Sequence, residues 1–310
     1  MKTMMTFKEF QDKWEAMPVY GNAFLLIDSA HHIDINIGYE ELNQKTLLIR
    51  KSGQVPELPS SKSIAASNYQ FADGTWVLCF RLIQSDNEEV FLRFCWDMIE
   101  SSREVSENII DFIIARYLKW QRLMECKRPN ILPAARQKGL MGELMFLAEC
   151  TKTMGAQKAL ESWCGPEGAD QDFIYDGTWT EVKATTMASA KISISSLEQL
   201  DIDIDGSLMV YRLDKTTASD NFGFTLTEQV QNTSALFTGN LKCQELFELR
   251  LFQYGYKDMP EYGKQKYRFC GAEEYRVDVT FPRLTKGNIA YQITSARYSI
   301  DLASIAVFRK

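Results

Sequence analysis

The sequence predicts an α/β protein of the α+β kind in three parts, and two observations support this prediction. Up to about residue 128, short strand-like runs follow one another until a long amphipathic helix closes the series. From about residue 134 the order becomes helix, three strands, helix and strand. The predicted parts are therefore a β-rich region over 1–128, an α/β core over 134–215 and a mixed α/β region over 222–310.

The composition is that of a folded globular protein. The chain has 310 residues, of which 45% are hydrophobic and 25% charged, and its net charge is −6. These values exclude a disordered chain and a uniformly basic nucleic-acid coat. Single, scattered cysteines and only 2 histidines argue against a zinc site. Free thiols and the lack of an apolar signal segment lead us to expect a cytoplasmic protein without a membrane part.

In region 1–128 the expected order is a helix, a series of strands and a closing helix. Phe7, Phe10 and Trp14 have helical spacing, which predicts a helix over 6–17. The closing helix is expected over 106–124, and Pro129 and Pro133 bracket the boundary that follows it. The predicted strands are 23–27, 32–37, 46–50, 76–83 and 89–95.

The two later regions alternate helices and strands. Ser195 and Glu198 form a capping-box pattern, which predicts a helix that begins at Ser195 and ends at Gly206. The other helices are expected over 135–153 and near 238–253. The other strands are expected on both sides of Asp176-Gly177 and at 191–195, 207–213, 275–281 and 297–302.

The stretch from Asp170 to Lys183 carries the clearest chemical signal. Asp176-Gly177 lies between two β-prone runs, which favours a hairpin with a two-residue loop. In that register Asp172 lies opposite Glu181 and Asp170 lies opposite Lys183, so that all four side chains project from one face. Opposed carboxylates have β-carbons roughly 5 Å apart and repel each other.

A divalent cation between the two carboxylates would remove this repulsion. Ligand sets made only of oxygen suit magnesium or manganese better than zinc. Lys183 would point into the same site as a compact positive charge, which can stabilise a charged transition state or activate a water.

An aspartate followed by Glu-x-Lys on a hairpin, after a helix and before a strand–helix pair, resembles the PD-(D/E)xK nuclease superfamily. The runs around Gly142-Glu143 and Glu198-Gln199 are similar to a bacterial branch whose members tend to be encoded near restriction or phage-defence genes. The resemblance implies a restriction-endonuclease-like αβββαβ core. It also implies the following site: Asp172 and Glu181 hold Mg2+ or Mn2+, Lys183 is the catalytic lysine, and Glu143 and Gln199 support them.

The function implied by the resemblance is that of a magnesium-dependent endodeoxyribonuclease in restriction or phage defence. Its partners would be DNA and other subunits of such a system. Two alternatives stay open: a catalytically inactive DNA-binding or structural subunit with the nuclease fold, and a nuclease for RNA or branched DNA. The sequence also leaves the oligomeric state open, a homodimer included.

The sequence departs from the superfamily pattern at three positions. Gln171 stands where the motif has proline, and Asp170 competes with Asp172 for the role of first ligand. Position 203, four residues after Gln199, is aspartate, so the exonuclease-type Gln-x-x-x-Tyr pattern is absent.

Basic residues concentrate in segment 116–138, which has a single acidic residue, Glu125. Such a segment can follow a phosphate backbone, although a solvated helix face explains it equally well. The candidate DNA contacts are Arg122, Lys127, Arg128, Arg136 and Lys138.

Overall fold

The computed structural model describes residues 5–19, 23–40, 43–51, 56–83, 88–125 and 131–310. Its fold is mixed α/β, which confirms the predicted fold class. The chain divides into two compact units, Met1–Lys127 (the N-terminal unit) and Arg128–Lys310 (the C-terminal unit). No helix in the described ranges has the length and apolar character that crossing a membrane requires.

The described residues of the N-terminal unit form an antiparallel sheet and three helices. The sheet has 5 strands in the order β1-β2-β3-β5-β4. The helices are α1 (Phe7–Glu15), α2 (Glu88–Ser101) and α3 (Ile109–Glu125). The strands are β1 (Phe24–Leu26), β2 (Asp34–Glu40), β3 (Gln44–Lys51), β4 (Ile64–Gln70) and β5 (Trp76–Leu82).

One face of this sheet packs on the helices. Ile37 of β2 and Phe80 of β5 both lie opposite Leu47 of β3, so these three buried side chains share one face of the sheet. The Phe80 ring lies 5.2 Å from that of Phe94 on α2 and 4.9 Å from that of Tyr117 on α3. These aromatic contacts join both helices to the sheet.

The C-terminal unit contains a five-stranded mixed sheet in the order β10-β11-β9-β7-β6. Within this sheet β7 and β9 are parallel and the other pairs are antiparallel. The helices are α4 (Ala134–Met154), α5 (Ala156–Ser162), α6 (Leu226–Ala235) and α7 (Leu241–Tyr254). The strands are β6 (Phe173–Tyr175), β7 (Thr178–Thr185), β8 (Lys191–Ile194), β9 (Gly206–Thr216), β10 (Phe224–Thr225), β11 (Lys266–Val277) and β12 (Tyr298–Asp301).

Apolar clusters lie on both faces of this mixed sheet. On one face α4 crosses the sheet, where Leu144 and Val182 belong to a cluster that also takes in Phe247 of α7. On the other face Trp179 and Val210 belong to a second cluster, which includes residues of β8 and β12. β7 lies between the two clusters, so its backbone is held from both sides.

Two predicted elements are wrong. Region 89–95, predicted as a strand, belongs to α2, because its apolar residues continue through Met98 at helical spacing. The segment after Ser195, predicted as a helix, forms turns instead. Asp201, Asp203 and Asp205 would stand at the C-terminal end of that helix, where negative charge is unfavourable.

Four further elements, β4, β10, α5 and α6, were not predicted, and the strand expected at 275–281 overlaps only the end of β11. β8 does not join the central sheet of the C-terminal unit but pairs with β12. Region 222–310, treated above as a part of its own, contributes β10 and β11 to the same sheet as the predicted core. Long-range strand pairing of this kind leaves no local trace in a sequence.

Replacing Gly206 with alanine is expected to destabilise the C-terminal unit. A β-carbon there would overlap the indole of Trp179, which is fully buried. We expect Gly206→Ala to lower the free energy of unfolding by about 1–3 kcal/mol, as overpacking usually does. The measurement is urea unfolding.

Gly287→Ala is the matched control, because its β-carbon would approach Thr285 Oγ1 only to 3.7 Å. Equal unfolding midpoints for the two variants would contradict the close packing of Gly206 on Trp179.

Candidate active site

The hairpin formed by β6 and β7 has the predicted register. Its pairs are Phe173↔Thr180, Ile174↔Trp179 and Tyr175↔Thr178. Asp176 and Gly177 form the loop with φ values of 46° and 72°, which a type I′ turn requires and which aspartate and glycine tolerate. Asp172 directly precedes Phe173 and Glu181 directly follows Thr180, so the two carboxylates adjoin the last paired residues of the hairpin.

The Asp172 carboxylate is fixed by the edge of β7. Its Oδ2 atom accepts a hydrogen bond of 2.8 Å from the backbone N–H of Val182. Burial raises the pKa of Asp172, while Lys183 and this hydrogen bond oppose the increase. Oδ2 is therefore engaged by the scaffold.

Glu181 is the most deeply buried carboxylate of the site, with a relative exposure of 1%. Its Oε1 atom accepts a 2.6 Å hydrogen bond from Lys183 Nζ. Its Oε2 atom is buried and has no hydrogen-bond partner among the described residues. Burial and the nearby charge of Asp172 raise the pKa of Glu181 to about 8, although Lys183 counteracts both.

Lys183 is held between Glu181 and Gln199. Its Nζ donates to Gln199 Oε1 at 3.0 Å. The same oxygen accepts from the backbone N–H of Ser195 at 2.8 Å. Gln199 therefore lies beside the site, although the helix predicted to carry it is a turn.

Glu143 reaches the same place from α4. The side chain is buried, and its Oε2 atom accepts a 2.8 Å hydrogen bond from Trp163 Nε1. Burial, together with the charges of Asp172 and Glu181, raises the pKa of Glu143 well above its ordinary value. We call Glu143, Asp172 and Glu181 the acidic cluster.

Gly165 allows two members of the acidic cluster to approach the backbone. A β-carbon at this position would lie 2.8 Å from Asp172 Oδ1 and 3.4 Å from Glu143 Oε2. Gly165 itself hydrogen-bonds Asp172, with its N–H 3.0 Å from the Asp172 carbonyl oxygen. The carboxylates of Asp172 and Glu143 therefore pack against the turn Gly165–Glu167.

All five residues of the predicted site thus come together, but other candidates do not join them. Asp170 is exposed, and no hydrogen bond or ion pair links it to the acidic cluster in the described part of the chain. Of the basic candidates, Lys127, Arg128 and the side chain of Arg122 lie outside the described residues. Arg116, also in the basic segment, forms a buried ion pair with Asp97.

Arg136 and Lys138 are the two basic candidates that the structure describes fully. Both are on α4, the helix that carries Glu143. Arg136 is exposed and stacks on the Tyr254 ring, and Lys138 lies over the Tyr267 ring at 5.8 Å. They project from the helix one to two turns before Glu143.

The sequence analysis missed three residues that shape the site. Trp163 and Gly165 lie beside and within the run Cys164-Gly165-Pro166, whose composition indicates only a turn after a helix. Tyr254 lies more than 100 positions further along the chain and hydrogen-bonds the backbone of α4 at Arg136, a contact that no local pattern marks.

Comparison with known protein families identifies one family model that matches this chain. Residues 10–303 match the family model described as "Putative PD-(D/E)XK family member, (DUF4420)". The curated proteins and the solved structures gave no match to this sequence. The family match spans nearly the whole chain and agrees with the superfamily that the Asp172 and Glu181-Val182-Lys183 motif predicted. The protein therefore belongs to the DUF4420 family of PD-(D/E)XK proteins.

Proposed function

We propose that this protein is a magnesium-dependent endodeoxyribonuclease that hydrolyses DNA phosphodiester bonds in bacterial restriction or phage defence. Membership in a PD-(D/E)XK family supports a nuclease-type function. The acidic cluster with an adjacent lysine supports hydrolysis assisted by a divalent cation. The role in defence and the DNA substrate follow from the family resemblance described above.

The observation that carries the proposal is the buried, unpartnered Oε2 atom of Glu181. A buried polar atom without a hydrogen bond costs free energy, and the nearby charge of Asp172 raises the cost of ionising Glu181 further. A cation bound there would satisfy the oxygen and neutralise the repulsion from Asp172. The residues present therefore fit a divalent cation.

Asp172 Oδ1 and Glu181 Oε2 are the atoms that would hold the cation. Both are carboxylate oxygens, which suits magnesium or manganese. No group of three or more His, Cys, Asp or Glu side chains among the described residues is placed to hold a metal ion. Two carboxylates leave coordination positions for a phosphate oxygen and a water, and the bound ion would activate that water.

The other side chains have supporting roles. Lys183 places a positive charge next to Glu181, where it can stabilise the negative charge that develops on the phosphate. Gln199 accepts from Lys183 and so fixes the position of its amine. Glu143 adds a third carboxyl group to the site, where burial and the charges of Asp172 and Glu181 raise its pKa well above the ordinary value.

DNA would approach over the beginning of α4. Arg136 is exposed there, and Lys138 is half-buried with its amine near the Tyr267 ring. Contacts to phosphates require such positive charge but read no sequence.

Glu181→Gln is expected to stabilise the cation-free protein at alkaline pH. The pKa of folded Glu181 is about 8, whereas an unfolded glutamate has a pKa of about 4.3. Between these values the folded protein retains a proton that the unfolded chain releases. The stability of the wild type therefore falls as pH rises through this window, by at most about 1.4 kcal/mol per pH unit for this group.

Glutamine keeps the size of the side chain but cannot ionise. Thermal unfolding should therefore show a higher Tm for Glu181→Gln than for the wild type at pH 8.5, and nearly equal values at pH 4, below the pKa of the unfolded glutamate. The control is Glu161→Gln, at an exposed glutamate of α5. If Glu181→Gln has a lower Tm than the wild type at pH 8.5, the claim that ionisation of buried Glu181 destabilises the folded protein is contradicted.

Removing Glu181 or Lys183 is expected to separate cleavage from binding. Glu181→Ala removes a cation ligand, and Lys183→Ala removes transition-state charge stabilisation, so plasmid cleavage with magnesium should fall by orders of magnitude. DNA binding should persist, and it should tighten for Glu181→Ala, because a negative charge near the phosphates is lost. Fluorescence anisotropy measures DNA binding, and a plasmid assay measures cleavage, on the same purified variants.

Lys191→Ala is the control, because Lys191 is an exposed lysine on β8 and should leave both measurements unchanged. Cleavage by Glu181→Ala at the wild-type rate would refute the assignment. A wild type that binds DNA but cuts it with neither magnesium nor manganese would instead support the inactive-subunit alternative.

A further inference from the structure

The turn Gly165–Glu167 holds the backbone of Asp172 as well as packing against its carboxylate. The backbone N–H groups of Cys164 and Gly165 both donate to the carbonyl oxygen of Asp172, at 2.9 and 3.0 Å. From the other side, the backbone N–H of Val182 donates to Asp172 Oδ2. Asp172 therefore lies between this turn and β7, and its position depends on both.

The turn matters because Asp172 directly precedes an edge strand. β6 is 3 residues long, lies at the end of the mixed sheet and pairs with β7. An isolated bridge joins Phe173 of β6 to Trp163. Sheet pairing therefore restrains this short strand from one side, and the segment around the turn has to restrain it from the other.

Helix α7, which lies outside the predicted nuclease core, anchors the turn through a buried ion pair. Arg250 of α7 is buried and pairs with Glu167, the last residue of the turn. The same guanidinium donates to Gln253 Oε1 at 3.1 Å within α7. A buried charge without a partner is costly, so Arg250 and Glu167 hold each other in place.

Stability alone does not account for an arginine at this position. Replacing a buried ion pair with apolar residues is often neutral or stabilising. Arg250 Nε is also buried without a hydrogen-bond partner in the described part of the chain, which adds to the cost. An ion pair differs from apolar packing in being directional, so it can hold the turn in one place.

The same helix supports the acidic cluster at a second point. The Phe247 ring of α7 lies 6.2 Å from the ring of Trp163, whose Nε1 binds Glu143. Phe247 and Arg250 are three residues apart and so share one face of α7. One face of this helix thus backs the supports of both Glu143 and Asp172.

We propose that Arg250 is a positioning residue of the acidic cluster, which fixes the turn Gly165–Glu167 and thereby the place of Asp172. This inference rests on the proposed function, to which it adds a residue from outside the predicted core. If the turn shifts, the two N–H groups that hold the Asp172 carbonyl oxygen shift with it. Loss of a residue that orients a metal ligand from behind typically costs about 10- to 100-fold in metal affinity.

The test compares the wild type with the double variant Arg250→Met, Glu167→Gln, both as the full chain. The double variant removes both charges, so neither is left buried and unpaired. Without metal, peptides that span Cys164 and Gly165 should exchange amide hydrogens roughly 10-fold faster, as loss of a hydrogen bond to a charged group implies. Mass spectrometry measures this exchange. Calorimetric titration should show an affinity for Mn2+ about 10- to 100-fold lower.

Two further variants are the controls. Arg250→Lys keeps the positive charge opposite Glu167 and should recover most of the exchange protection and of the Mn2+ affinity. The matched pair is Arg212 with Glu273, which joins β9 to β11 in the same unit with side chains 11% and 21% exposed. Arg212→Met with Glu273→Gln should leave exchange at the turn and Mn2+ affinity near their wild-type values.

Wild-type exchange at Cys164 and Gly165, or wild-type affinity for Mn2+, in the Arg250→Met, Glu167→Gln variant would overturn the proposal. Faster exchange spread evenly over the C-terminal unit would also overturn it, because that pattern indicates general destabilisation. If the wild type itself binds no Mn2+, the proposed function fails. The exchange measurement without metal then decides by itself whether Arg250 holds the turn.

Discussion

Repulsion among three buried carboxylates is the constraint on which the C-terminal unit depends. Glu143, Asp172 and Glu181 come from different elements, and burial with their mutual charge raises the pKa of each of Glu143 and Glu181. Lys183 offsets only part of the repulsion among the carboxylates. It donates to one oxygen of Glu181 and leaves the other without a hydrogen-bond partner among the described residues. A fold that holds such a cluster together must supply rigid supports, and the proposed cation would offset the repulsion.

The carboxylates of Asp172 and Glu143 are held by direct contacts, two of which come from the backbone. The N–H of Val182 fixes Asp172, Trp163 fixes Glu143, and the Gly165 turn lies beneath both. Apolar clusters on both faces of the mixed sheet hold β7 in place. The distances among the carboxylates are therefore set by the scaffold, which is what a preorganised catalytic site requires.

The hairpin and its register could be predicted because they depend on neighbouring residues: Asp176-Gly177 specifies the turn, and the turn specifies which residues face each other. The positions of Glu143 and Gln199 followed from the family motif. α2 was mistaken for a strand because a short apolar run fits both periods. Tyr254 and Gly165 could not be predicted, since their contacts arise only when distant segments pack together, and Arg116 proved to be engaged by Asp97.

The central claim is that a divalent cation binds between Asp172 and Glu181. The most direct measurement is an anomalous difference map from crystals of the full chain soaked in Mn2+ and measured above and below the manganese absorption edge. The account predicts a peak within coordination distance of Asp172 Oδ1 and Glu181 Oε2, and no peak there in Glu181→Gln crystals. A map without density between these two carboxylates, or with the same peak in the variant, would contradict it.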